Sequence, residues 1–172
     1  MVKGLTATSS PLQIGSFVAE TAANTFNSTQ IDLSLNPLDN EVFVVTQLNL
    51  DVEAPDSVTA TTTEVTATLS STARTTVGSI TDANVLGQAR RSIICNAAMT
   101  PDGGIPFDRE DPLFAAQTED YIGIIATSDA FLNIIGSNNG NTKGCAARIY
   151  GYRAKAQASV YAALVQSEVL SA

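Results

Sequence analysis

The chain has 172 residues and a mass of 17.9 kDa, which suits one domain with its own core. With 44% apolar residues and a mean hydropathy of +0.12 it groups with globular rather than disordered sequences, and no apolar run reaches the ~18 residues of a membrane span. It has no histidine, which excludes Ser-His-Asp and Cys-His catalysis and His-ligated metals; its net charge is −8, and residues 1–86, with 2 basic and 9 acidic side chains, lack the clustered cations that phosphate binding needs.

Residues 1–11 are small and polar up to Pro11 and read as a flexible arm, leaving residues 12–172 as a single domain. The opening Met1-Val2-Lys3-Gly4 has no apolar segment of the kind a secretory leader carries. Residues 12–18 read as a short edge strand, and residues 26–35 as a strand with Ile31, Leu33 and Leu35 on one face. Residues 36–40 have turn composition. The most regular stretch follows: Val42, Val44, Leu48, Leu50 and Val52 fall on one face, interrupted only by Thr46. Phe43, Val45, Gln47, Asn49 and Asp51 fall on the other. Period-2 alternation of this length is what a sheet with one face on a core requires.

Residues 57–76 are rich in Thr and Val, which favour the pleated conformation, and Val65, Ala67 and Leu69 alternate with a hydroxyl-bearing face expected to meet solvent. Thr81-Asp82 reads as the start of a short helix running to about Arg90. Residues 92–98 read as a strand, Pro101-Asp102-Gly103-Gly104 as a turn, and residues 105–116, with two prolines, as irregular. Strands are expected at 121–127, 131–135 and 145–155, with a mobile loop at 136–144 between the last two. From Ala156 onward the spacing becomes helical, with Val160 and Leu164, and Val165 and Val169, four apart, which predicts a C-terminal helix of about 13 residues. Seven to nine strands without regular strand–helix alternation indicate an all-β antiparallel β-sandwich carrying one short internal helix and a C-terminal helix.

Few stretches offer chemistry. The loop at 136–144 misses the phosphate-loop spacing, which would want Gly and Lys where Asn141 and Thr142 stand. Asp108, Glu110 and Asp111 are the best cation candidates, but they lack the alternating pattern and glycine of a calcium loop, so no metal is expected. Glu119 and Asp120 are adjacent and would point to opposite sides of a strand, unlike acids that flank one bond. Arg148, Tyr150 and Tyr152 share one face of the last strand while Arg153 and Lys155 share the other, so the cations are divided and direct nucleic-acid binding is not expected. Cys95 and Cys145 sit in apolar or small-residue strand contexts. They read as buried thiols, with a disulfide open if their strands are neighbours. The stripe of Tyr161, Leu164, Val165 and Val169 on the C-terminal helix either caps its own sandwich or contacts a second copy.

Three stretches together resemble the single jelly-roll major capsid proteins of icosahedral viruses, in the branch seen in marine and archaeal virus-like sequences. They are Leu69-Ser70-Ser71-Thr72-Ala73-Arg74-Thr75-Thr76 running into Ile80-Thr81-Asp82, then Asp108-Arg109-Glu110-Asp111-Pro112-Leu113 running into Tyr121-Ile122-Gly123-Ile124, and finally Ala147-Arg148-Ile149-Tyr150-Gly151-Tyr152. In layout the resemblance covers most of residues 25–172. It implies eight strands in two four-stranded sheets and a non-enzymatic subunit of the virion. Its partners would be copies of itself, forming a closed shell, and other virion proteins; no cofactor is implied. Unlike many plant and animal virus coats, the chain has no basic N-terminal arm, which bears against genome binding by that route. The alternative class is a decoration protein or a carbohydrate-binding β-sandwich, the latter at odds with an aromatic content of 6% and no Trp.

Overall fold

A computed structural model describes residues 3–95, 104–110, 113–114 and 121–170. The strands are β1 (Leu5–Ala7), β2 (Leu12–Ala19), β3 (Asn27–Asp32), β4 (Glu41–Val52), β5 (Thr63–Ser70) and β6 (Val85–Ile94). They continue as β7 (Ile105–Glu110), β8 (Leu113–Phe114), β9 (Gly123–Ile125), β10 (Asp129–Ser137) and β11 (Gly144–Ala156), and the chain then enters α1 (Ala158–Leu170). One sheet runs β1-β11-β4-β8, with β2 also on β11 and β9 also on β4; the other runs β3-β10-β5-β6-β7.

Eight of these strands are nested like one long hairpin wound on itself. β2 pairs with β11, β3 with β10, β4 with β9 and β5 with β6, all antiparallel. The β4–β11 and β10–β5 pairings then join the nested hairpins into the two sheets β2-β11-β4-β9 and β3-β10-β5-β6. That order is a single jelly roll, and the expected all-β sandwich with a C-terminal helix is the fold. Between the sheets lies one core, built from residues such as Val18, Leu33, Phe43, Leu48, Leu69, Leu132 and Ile149.

The regularity of β4 hides a change of face. Gln47 opposes Tyr150 and Val45 opposes Gly151, so Thr46 is an extra residue, a β-bulge whose hydroxyl donates to the Tyr150 carbonyl at 3.2 Å. Before the bulge it is Phe43 and Val45 that enter the sandwich core; after it, Leu48, Leu50 and Val52 do. Val42 and Val44, expected on the same face as Leu48, instead lie beneath α1 in a second apolar cluster. Opposite the bulge stands Gly151, where a Cβ would fall on the Val44 carbonyl oxygen and lie 2.7 Å from the Phe43 ring. Gly151→Ala is therefore expected to cost about 1–3 kcal/mol by overpacking, read as a lower urea midpoint. An unchanged midpoint would mean the bulge yields freely.

Three other expectations are corrected. The helix over 82–90 is absent, because Val85–Ile94 form β6, paired along β5 from Thr63↔Ile93 to Ser70↔Val85. Asp82 does not cap a helix; its carboxylate takes the Ser79 N–H and the Arg74 guanidinium. Gly87, a poor helix former, was the contrary signal. The short internal helix is instead a 3-10 turn at Pro37–Asp39, fixed by Asn36, whose side chain accepts from Leu38 N–H, and by Asn40 in the left-handed region. Residues 105–110, expected to be irregular, form edge strand β7, where Pro106 is tolerated because an edge leaves one side of the ladder open. Finally, Leu5–Ala7, inside the expected flexible arm, pair with Ala156, Lys155 and Ala154, and Leu5 is buried in the second cluster.

The hydroxyl face of β5 is also less wet than its composition implied. Thr68 and Ser70 are fully buried there beside Asn133 of β10, whose amide nitrogen donates to Ser70 Oγ at 3.0 Å.

Candidate assembly surfaces

The C-terminal helix forms as expected, with 13 residues. Its Val160, Tyr161, Leu164 and Val165 are partly buried against Leu5, Val42, Val44, Ala126, Ala154 and Ala156. Of the four residues expected to contact a second copy, Tyr161, Leu164 and Val165 thus turn toward their own domain, while Val169 is 63% exposed, next to a still more open Leu170. The structure brings the first three together and leaves Val169 apart. Glu168, on the same helix, carries no mark in the sequence pattern. It is buried, and its two carboxylate oxygens accept the backbone N–H groups of Ala126 and Thr127, each at 3.0 Å. Burial pushes the Glu168 carboxyl above its ordinary range, against the opposing pull of those hydrogen bonds.

At the opposite end of the sandwich, three connections lock together. Buried Glu20, after β2, accepts the N–H of Gly136 at 2.7 Å and of Lys143 at 3.0 Å. Asn139 and Asn24 exchange backbone and side-chain hydrogen bonds, and Asn139 Nδ2 also reaches the Glu64 carbonyl. Lys143 Nζ lies 2.5 Å from Asp56, whose other oxygen takes the N–H of Asn141. The lysine holds the Asp56 carboxyl below its ordinary range. The loop at 136–144 is therefore pinned rather than mobile, with Asn139 and Lys143 both buried. Its amide-rich composition signalled a loop; partners 75 to 123 residues away in sequence could not be read from it.

The other sequence candidates are dispersed. Asp108 and Glu110 occupy β7 positions opposite Arg91 and Ala89, while Asp111, Glu119 and Asp120 lie outside the described residues. Among the described residues no group of three or more His, Cys, Asp or Glu converges on a common point. On β11, Arg148 is exposed and Tyr152 packs under α1, whereas Arg153 donates to the Leu33 carbonyl and Lys155 sits 3.7 Å from Asp39. Cys145 lies in the core and Cys95 follows β6. A cleft of about 700 Å³ lies in the β5–β6 connection. It is lined by Arg74, Thr75, Thr76, Thr81, Asp82 and Asn84, with Arg74 tied to Asp82 and Asn84. No helix among the described residues is long and apolar enough to cross a membrane.

Fold and surface together define an antiparallel jelly-roll sandwich with a helical cap. No family model matches the sequence, and no curated protein does. Among solved structures, the chain is similar to Merkel cell polyomavirus VP1 in complex with GD1a oligosaccharide, at a TM-score of 0.46 and 8% identity, covering 91% of this chain and 99% of that one. It is also similar to desmodium yellow mottle tymovirus, at 0.31 and 12% identity over 90% and 94% of the two chains. Turnip yellow mosaic virus gives 0.30 and 16% identity over 88% and 84%.

Proposed function

We propose that this chain is a structural virion protein, a major capsid protein that assembles with copies of itself into an icosahedral shell. The carrying observation is the strand order: nested antiparallel hairpins in two sheets, closed at one end by the Glu20–Asn139–Lys143 lock and capped by α1. This reading is consistent with the sequence resemblance to single jelly-roll capsid proteins of the marine and archaeal branch. Identical chains bury self-complementary patches in closed symmetric assemblies, and a closed two-sheet sandwich offers a repeatable surface for such contacts. The exposed Val169, beside Leu170 at the end of α1, is the contact surface proposed for the neighbouring copy.

The purified chain is expected to form large closed particles visible by electron microscopy. Val169→Asp should leave the unfolding free energy within about 0.5 kcal/mol of the parent, as surface changes do, and sharply reduce particle yield. A parent chain that stays monomeric at high concentration across a range of salt would sink the capsid reading. Particles formed equally well by Val169→Asp would remove only this contact.

A further inference from the structure

Glu168 is chemically out of place. It lies in the last turn of α1, where the helix dipole disfavours a negative charge. It is only 8% exposed, yet it forms no ion pair among the described residues. Its two oxygens instead straddle the backbone N–H groups of Ala126 and Thr127, the turn between β9 and β10. The charged or titratable groups on the surrounding elements include Lys3 before β1, Glu41 on β4, Asp129 on β10, Tyr152, Arg153 and Lys155 on β11 and Tyr161 on α1, with Arg74 and Asp82 in the connection that Thr127 touches through Ser71; Arg153 is bonded to the Leu33 carbonyl. None of them hydrogen-bonds to Glu168, and Lys155 and Arg74 are engaged with Asp39 and Asp82. Val160, Tyr161, Leu164 and Val165 of the helix make partly buried apolar contacts with the same end of the sandwich.

We propose that α1 is a strap whose seating on the sandwich is set by the ionisation of Glu168. Protonation removes a buried charge that no ion pair among the described residues offsets, and this gain exceeds the loss of one carboxylate hydrogen bond to a backbone N–H, so the strap seats more firmly in acid. Ionisation loosens it and uncovers the apolar seat of Leu5, Val42, Val44, Ala126, Ala154 and Ala156. The direction follows from burial, which raises the carboxyl pKa in the seated state above that of the released helix. Below the ordinary carboxylate range both states are protonated and seating has its full strength. As pH rises, the released state ionises first, and seating weakens until the seated carboxyl has ionised too. The proposal does not depend on the capsid reading.

The test is amide hydrogen exchange on the full chain, followed by mass spectrometry across roughly pH 4 to 8 and corrected for intrinsic exchange. In the parent, protection of residues 160–166 should fall with rising pH, by about tenfold for each unit separating the seated and released pKa values. Amides of β5 and β10 should not follow. Glu168→Gln, which cannot ionise, should give a flat profile. A parent profile that is flat, or a Glu168→Gln profile that tracks the parent, overturns the proposal. Should Glu168→Gln fail to fold, the parent profile of α1 against β5 and β10 decides alone.

Discussion

Replacing Phe43 by alanine is expected to destabilise the protein by about 3–5 kcal/mol, the range for truncating a fully buried aromatic side chain. Phe43 has no exposed surface, stands in the core between the sheets, and its ring lies against Gly151 across the bulge. Few neighbours could collapse into the space it vacates, since β4 is paired on both sides by β11 and β9 at this level. Simple alternation places Phe43 on the face opposite Leu48, beneath α1 with Val42 and Val44, whereas the structure seats it in the core between the sheets. A loss below about 1 kcal/mol, within the range of ordinary surface substitutions or little beyond it, would refute the burial of Phe43 in the core.

Leu48→Ala is expected to cost about 2–5 kcal/mol, read as a lower denaturant midpoint with an unchanged slope. Leu48 is 1% exposed, opposes Ile149 on β11 and Leu113 on β8, and lies on the core side of the bulge. Phe43 and Leu48 are five residues apart, an odd separation that should put them on opposite faces, and only the extra residue at Thr46 brings both into one core. If one variant proves costly and the other neutral, the bulge is misplaced. If the Leu48 variant unfolds at the parent midpoint, this half of β4 faces outward.

The bulge shows where sequence reading reached its limit. Thr46 was visible as the single polar interruption of an apolar face, yet an interruption does not announce that the faces exchange behind it. What exchanged them is a tertiary fact, namely that Gly151 on β11 gives the Phe43 ring and the Val44 carbonyl room. Burial itself was legible: Val65, Ala67 and Leu69 are core residues as their alternation indicated, and the helical spacing after Ala156 gave α1 its length. β6 was misread because Thr81-Asp82 has the composition of a helix cap, while the decisive influence was the waiting edge of β5. The contact surface was read from spacing alone, which cannot say whether a stripe meets its own domain or another's. Tyr161, Leu164 and Val165 meet their own. Glu168 escaped notice because its partners are backbone amides, which carry no residue-specific signal.

The position of β11 has a consequence for biosynthesis. It is the central strand of its sheet, bonded to β1 and β2 on one side and β4 on the other. While the chain is being made, β2 and β4 therefore emerge long before the strand that joins them. Until Gly144–Ala156 arrives, β4 lacks the partner along almost its whole length, and Val18, Val52 and Ile149 have no common core to enter. Pairings so distant in sequence make for folding in about milliseconds to seconds, and an uncovered apolar edge in the meantime is a template for the wrong partner. A ribosome stalled before residue 144 would hold every strand of the β3-β10-β5-β6-β7 sheet, while β2 and β4 of the other sheet would lack the strand that joins them. The completion of this one strand divides productive folding from aggregation.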